Sequence, residues 1–312
     1  MPNTIERKKI LGVPVDFGLN YDSVVNTLDR FVREDKSHLV VTVNPEFIID
    51  AQYDKEFMSI LNTADLAVPD GVGVLFAYDY LKSVEDLKNA FGKGPLFPLL
   101  AFFLGTGLGL TSIINSGKTG FGKLSKDIGE GRITGSDLTY KICENAQKNG
   151  QTVFLLGGRP RTALGKVMAA NAPSVSEEAA KVLVTKYPDL NIVGASSAFS
   201  RYEQDDEKTL EFIHKCMRDK GVSHLDYLII AYGHNHQEKW LMRNMSKIPV
   251  RVGLGVGAGL DYIIGLQKRS PEKLKGSNLE WVHRLITQPW RSRRIFKAFP
   301  QFPLKVYLDS LK

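Results

Sequence analysis

Residues 38–73 read HLVVTVNPEFIIDAQYDKEFMSILNTADLAVPDGVG. The stretch opens with Leu39-Val40-Val41-Thr42-Val43, an apolar β-branched run of the kind found in a strand buried on both faces of a parallel sheet. Asn44-Pro45 ends that run. Pro45 suits the first position of a helix, where its missing N–H costs nothing. Phe47, Ile48, Ala51, Met58 and Leu61 recur near helical spacing and predict one helix from Pro45 to about Leu61. A short strand, Leu66-Ala67-Val68, follows and stops at Pro69-Asp70-Gly71. In open α/β sheets ligands sit beyond the carboxyl ends of the strands. Thr42 and Asn44 lie at one such end and Asp70 at the next. Asp70 has two readings here. Asp between Pro and Gly is ordinary turn chemistry, because Asp bonds its own backbone and Gly accepts positive φ. A carboxylate at a strand end is also a general base poised over a ligand.

Working outward, the same alternation continues. Val13-Pro14-Val15 centres a short strand pair, and a helix starts at Tyr21 with Val24, Val25, Leu28 and Phe31 on one face. Ser136 is a candidate N-cap for a helix through Gln147. Thr152–Leu156 is a strand ending in Gly157-Gly158, a backbone-donor loop suited to a phosphate or nucleotide. Leu190–Gly194 is a further strand, Glu203–Lys220 an amphipathic helix, and Tyr227–Ala231 a strongly apolar strand. Gly233 through Trp240 opens another helix, and Val250–Leu254 is the last strand. The pattern predicts an α/β fold: a mostly parallel, Rossmann-like sheet with helices on both faces.

The 312 residues are 43% hydrophobic and 24% charged, which suits one large α/β unit with an appendage. No signal pattern opens the chain. Cys143 and Cys216 are far apart and read as free buried thiols in a reducing compartment. His234 and His236 flank Asn235, but no ligand set with metal spacing accompanies them, so no metal and no cofactor is expected. Charge is uneven. From Gln267 to Lys312 there are 11 Lys and Arg against 3 Asp and Glu, whereas the remainder holds 30 against 31. The expected division is an α/β core over 1–266 and a basic helical appendage over 267–312. A basic tail implies an anionic partner: phosphate, membrane surface or nucleic acid.

One segment breaks the alternation. Within the apparent insertion at about 82–131, Pro95 to Gly117 carries no charge. Its length permits a bilayer span, but Pro95, Pro98, Gly105, Gly107 and Gly109 interrupt it. A broken helical hairpin dipping into a membrane is one reading; a core or oligomer-contact hairpin is the other. In the tail, Trp281 and Trp290 alternate with Arg284, Arg291, Arg293 and Arg294, a mixture suited to a membrane interface.

Taken together, Thr42-Val43-Asn44-Pro45-Glu46, Ala64-Asp65, Pro69-Asp70-Gly71-Val72-Gly73, Arg132 with Gly135-Ser136-Asp137, Gln237-Glu238-Lys239-Trp240, Gly253–Asp261, Arg269-Ser270-Pro271 and Leu279-Glu280-Trp281 with Arg284, Arg291 and Arg294 resemble the WecG/TagA/CpsF glycosyltransferases, glycosyltransferase family 26. The likeness runs in order over roughly residues 10 to 297 outside the insertion. It implies inverting, metal-independent transfer of a sugar from a UDP-sugar to a sugar carried on a polyprenyl diphosphate, in the synthesis of teichoic acid linkage units, enterobacterial common antigen or exopolysaccharide. By the same resemblance Asp70 is the general base. Thr42, Asn44, Arg132 and Gln237 place the sugars or the leaving diphosphate, and Arg284, Arg291 and Arg294 close on the diphosphates at the membrane. The implied location is cytoplasmic, peripheral on the inner face of the plasma membrane, with an anionic membrane surface as partner, no nucleic acid, and room for a homo-oligomer. Three departures stand out: Asn235-His236 where the family carries Pro-Lys, an extended stretch at residues 167–180, and the apolar insertion. Chemistry agrees with the implied roles, since displacement without a metal needs a base on the acceptor and guanidinium forks on the diphosphate.

Two rival classes remain open. Gly253-Leu254-Gly255-Val256-Gly257-Ala258 is a loose G-x-G-x-x-A after a strand, the mark of a nucleotide-linked oxidoreductase, though it falls at the end of the sheet. A non-catalytic membrane or nucleic-acid binder using the basic tail is the other.

Overall fold

The computed structural model describes residues 5–114, 132–158, 174–267 and 292–312. Among these, a hairpin of β1 (Glu6–Ile10) and β2 (Val13–Phe17) precedes α1 (Tyr21–Arg33). Then come β3 (His38–Val43), α2 (Pro45–Ala51), α3 (Lys55–Thr63), β4 (Leu66–Pro69), α4 (Val72–Phe91) and α5 (Phe97–Ile114). Next are α6 (Gly135–Asn149), β5 (Thr152–Gly157), α7 (Val175–Lys186), β6 (Asn191–Ser196), α8 (Asp206–Lys220), β7 (Leu225–Ala231), α9 (His236–Asn244), β8 (Val250–Gly255) and α10 (Gly259–Ile263). The chain closes with α11 (Ser292–Phe296) and α12 (Phe302–Ser310).

Among the described residues six strands form one parallel sheet in the order β4-β3-β8-β7-β5-β6. The expected mostly parallel sheet is thus fully parallel, and the β1–β2 pair stands apart from it. Every residue of β3, β5 and β7 is buried, as near-continuous apolar runs require when helices cover both faces. One core holds α2, α3, α4, α8, α9 and the hairpin against the sheet, with Phe47, Phe57, Val74, Ile213 and Trp240 among its members. The other holds α1, α6, α7 and α10, through Leu28, Leu138, Leu183 and Leu260. The helices that follow the adjacent strands β3 and β8 therefore leave to opposite faces. That divergence opens a crevice between their carboxyl ends, the topological switch point at which such sheets bind ligands.

Several expectations need correction. The single helix over Pro45–Leu61 is two. Asp54 caps α3 by accepting from the Phe57 N–H at 3.0 Å, which ends α2 and starts a new axis. Thr134, not Ser136, caps α6, accepting from the Asp137 N–H at 3.3 Å. The expected break in the apolar insertion is absent over Phe97–Ile114: α5 is continuous because Pro98 falls in its first turn, where it removes no helical bond, and because helices tolerate isolated glycines. The insertion's first residues belong to α4, which runs unbroken to Phe91 and stops at Gly92, φ 70°. Cys143 is buried, its thiol pushed up to about 12 by burial, but Cys216 is only partly buried. Trp281, Arg284, Trp290 and Arg291 lie outside the described residues. In the basic tail Phe302 and Val306 of α12 are buried in the core beside α2.

Candidate active site

The crevice is built by the ends of β3, β4 and β8. Thr42, at the end of β3, is buried, and its hydroxyl donates to the Gly255 carbonyl at 3.2 Å across to β8. Asn44 caps α2 by accepting from the Phe47 N–H at 3.0 Å, so its side chain is fixed where the chain turns out of the sheet. Beside it, the Asp70 N–H donates to the Val43 carbonyl at 2.7 Å and extends the β3–β4 pairing by one residue. This holds Asp70, half-buried, at the rim.

The residues after Asp70 are chosen by geometry. Gly71 has φ 119°, a conformation that side-chain-bearing residues rarely adopt. A Cβ on Gly73 would lie 2.8 Å from the Pro45 ring, so the start of α4 can approach the start of α2 only with glycine there. The helix begins at Gly71 with no side-chain cap bond, leaving backbone N–H groups and the positive end of the dipole at the rim.

Arg132 reaches the same rim from far along the chain. The Ile133 N–H donates to the Pro69 carbonyl at 3.0 Å, immediately before Asp70. The next N–H, of Thr134, donates to the Tyr21 hydroxyl at 3.1 Å. Burial raises the Tyr21 phenol above its ordinary range, and the nearby carboxylates of Asp137 and Asp70 add to this. Tyr21 was read from sequence only as a helix start; nothing local marks it as a neighbour of Asp70. A Cβ on Gly135 would meet the Val256 backbone at 3.0 Å, which packs this segment tightly on the turn after β8.

Gln237, Gly157 at the end of β5 and Gly158 just after it are placed differently from a direct contact. The Gln237 side chain is buried under the β8 turn. Its carbonyl accepts from the Gly257 N–H at 2.9 Å and its amide donates to Glu238 at 2.7 Å. It fits because Gly255 has no Cβ; one would stand 2.3 Å from the Gln237 amide nitrogen. Gln237 thus shapes the crevice from beneath. The Gly158 N–H donates to the Ala231 carbonyl at 2.9 Å and is committed to the protein. The Gly157 carbonyl accepts from the Ser176 hydroxyl at 2.6 Å. Added Cβ atoms would sit 2.7 Å from Tyr232 and 2.7 Å from Val175 respectively, so close packing accounts for both glycines. The G-x-G-x-x-A reading falls for the same reason: β8 lies inside the sheet, and Gly253 and Gly255 make room for Leu241, Met245 and Gln237 of the α9 region.

The loop between β7 and α9 carries His234 and Asn235, which reach α2 and the start of α3. His234 Nε2 lies 2.7 Å from Asp50 on α2, and its ring packs edge-on against Phe47, centroids 4.5 Å apart. Asp50 also accepts from Lys297 at 2.5 Å. Burial works against ionisation of Asp50, but hydrogen bonds from His234 and Lys297 prevail and hold it below its usual value. Asn235 sits at φ 68° and donates to Asp54 at 3.1 Å. Burial drives His236 down to about 4, helped by the Arg201, Lys239 and Arg243 cations. Glu238 is fully buried and pushed up to about 7 by that burial. Among the described residues no cluster of three or more His, Cys, Asp or Glu is arranged to hold a metal ion.

The tail reaches this region through α2. Arg294 donates to both oxygens of Glu46, at 2.8 and 2.7 Å, one turn before the Lys297–Asp50 pair. Glu46 and Asp50 are four apart on a helix that starts at the rim, a signal that was readable in the sequence. Arg284 and Arg291 lie outside the described residues.

A model described as "Glycosyl transferase WecG/TagA/CpsF family" matches residues 8–89 and 120–312. The chain is 25% identical over 93% of its length to 88% of an N-acetylglucosaminyldiphosphoundecaprenol N-acetyl-beta-D-mannosaminyltransferase of Bacillus subtilis strain 168. A Staphylococcus aureus MRSA252 protein of the same name is 25% identical over 95% of this chain and 91% of its own, and that of strain NCTC 8325 is 26% identical over the same shares. With the family match spanning both sides of the apolar insertion, the chain belongs to the WecG/TagA/CpsF family of glycosyltransferases.

Proposed function

We propose that this glycosyltransferase moves an N-acetylmannosamine-type sugar, or a related hexose, from a UDP-sugar to a sugar on a polyprenyl diphosphate. The reaction is a single inverting displacement without a metal. Asp70 takes the proton from the acceptor hydroxyl as that oxygen attacks the anomeric carbon, and the bond to UDP breaks on the opposite side. The observation that carries this reading is the convergence of Asp70, Thr42 and Arg132 on one switch-point crevice from three separate parts of the chain. A base needs to reach the reacting hydroxyl, and a leaving diphosphate needs positive charge. Arg132 and the open N-terminus of α4 supply that charge at the rim, and the basic tail supplies more. Thr42 and Asn44 border the sugar pocket, while Gln237 supports it through Gly257. The relatives' names support a diphosphoundecaprenol-linked N-acetylglucosamine as acceptor. Among the described residues no helix is long and apolar enough to cross a membrane, and the lipid-linked acceptor favours peripheral attachment at the cytoplasmic face.

The test is incubation with a panel of UDP-sugars and a lipid-diphosphate N-acetylglucosamine in the presence of a chelator, followed by product mass. One added hexosamine residue with UDP released is the expected result. No product from any UDP-sugar overturns the donor assignment, and product lost only with the chelator overturns the metal-free mechanism.

A further inference from the structure

The family match stops at residue 89 and resumes at 120, so α5 lies outside the matched family pattern. Its inward stripe is Phe97, Ala101, Leu104, Gly105 and Leu108, at helical spacing. Phe97 and Ala101 are buried. A Cβ on Gly105 would lie 3.1 Å from Tyr80 of α4, which brings the two helices close. The opposite face is equally apolar. Leu96, Leu99, Phe102 and Phe103 are 65%, 52%, 50% and 60% exposed. A helix apolar on all sides is normally covered on all sides, and an exposed apolar patch of this extent marks an interaction site.

The patch continues onto the C-terminal helix. Tyr307 of α12 donates to the Pro98 carbonyl at 3.2 Å, and its ring lies 5.9 Å from Phe102. On either side of Tyr307, Leu304 and Leu308 are exposed at i, i+4. Beside this face Lys93 of the loop after α4 donates to the Lys312 carbonyl, Lys312 pairs with Asp309 and Lys305 lies over the Tyr53 ring. The tail holds 11 Lys and Arg against 3 Asp and Glu. Across a two-fold contact between copies these lysines would face like charge. Against anionic headgroups they attract.

We propose that α5 and the exposed edge of α12 form one face that lies in the interface of an anionic bilayer. Side-on packing against α4 occupies half of α5, so the helix lies along the surface rather than crossing it. Leu and Phe side chains enter the acyl boundary and the lysines meet the headgroups. The proposal rests on the reading that the acceptor is a polyprenyl lipid, which gives docking its purpose: the crevice meets a substrate that cannot leave the membrane.

The test uses the full chain and vesicles of phosphatidylcholine with phosphatidylglycerol, free of acceptor. Leu99→Ser/Phe103→Ser and Leu99→Glu/Phe103→Glu are compared with the parent by cosedimentation, by circular dichroism and by sedimentation velocity without lipid. The Ser pair should weaken vesicle partition roughly tenfold to a hundredfold, and the Glu pair further, with unchanged spectrum and association state. Turnover on a water-soluble short-chain acceptor should stay at the parent value. Unchanged partition in both variants overturns the proposal. So does an oligomer in the parent that the variants dissociate, with lipid binding unaltered, which assigns the face to a second copy. Because partition is read without turnover, failure of the transferase reading shows separately, as absent product in parent and variants alike.

Discussion

A base at a strand end is useful only if the backbone holds it still and leaves its neighbours room for a substrate. Asp70 meets the first condition through its N–H bond to Val43 and the second through Gly71 and Gly73. Asp70→Asn keeps size and removes basicity. Turnover should fall about 10²–10⁴-fold while UDP affinity, read by calorimetry, stays at the parent value; near-parent turnover would return Asp70 to a turn residue. Glu238 gives a second prediction at this scale. Burial raises it from 4.5 to about 7. Below pH 4.5 both folded and unfolded chains hold this proton, and the stability it confers is complete. From 4.5 to 7 the unfolded chain ionises first, so stability declines with rising pH, by on the order of 3 kcal/mol. Asp79, raised to about 6 by burial, acts in the same direction, and His236, lowered to about 4, in the opposite one. The informative quantity is therefore the parent-minus-variant curve. Glu238→Gln keeps the bond from Gln237, and thermal unfolding from pH 4 to 8 should show the variant gaining on the parent across this window. Parallel curves would place the Glu238 proton elsewhere.

At the scale of elements, α2 links the rim to the tail. Its first residue follows Asn44, and its two carboxylates receive Arg294 and Lys297. Partly exposed pairs of this kind contribute about 0–1 kcal/mol each, enough to place α11 yet weak enough to be exchanged for a stronger anion. If Arg294 serves a diphosphate, Glu46 competes with it. Glu46→Gln should lower the KM for the lipid-diphosphate acceptor by up to about fivefold with little change in kcat, measured by initial rates at fixed donor. An unchanged KM would remove Arg294 from diphosphate binding. The contact of β8 with α9 makes a different prediction. Gly255→Ala forces its methyl into the Gln237 amide and should cost about 1–3 kcal/mol by chemical denaturation. A neutral result would show that Gln237 swings clear of Gly257 without loss.

For the whole molecule the governing feature is charge separation: a tail of 11 cations and 3 anions on a body of 30 and 31. Replacing Arg284, Arg291 and Arg294 together by Gln should reduce use of the diphosphate-lipid acceptor more than binding of UDP alone. The parent's rate on the lipid acceptor should also fall more steeply with salt than the variant's, since surface charge is screened within about 10 Å at 0.1 M. Steady-state rates across a salt series check both. Equal losses for both ligands would confine these arginines to a general structural role.

The sequence by itself determined the order and class of the elements, because period and turn chemistry are local. The β-branched run of β3, the Pro45 helix start and the Pro69-Asp70-Gly71 stop all hold in three dimensions. It also put Thr42, Asn44 and Asp70 on one rim, since consecutive parallel strands end on the same side. What it left to the tertiary structure are pairings between distant segments. Thr42 meets Gly255 only because β8 inserts between β3 and β7. Arg132 joins Asp70 through Pro69, and Arg294 meets Glu46, 248 residues away. Gly157 and Gly158 read as a phosphate loop until Ala231 claims the Gly158 N–H and Tyr232 and Val175 fill the space beside them. A one-dimensional motif records which residue can stand at a position. Which neighbour uses its hydrogen bonds is decided by packing across the sheet, and that packing is non-local.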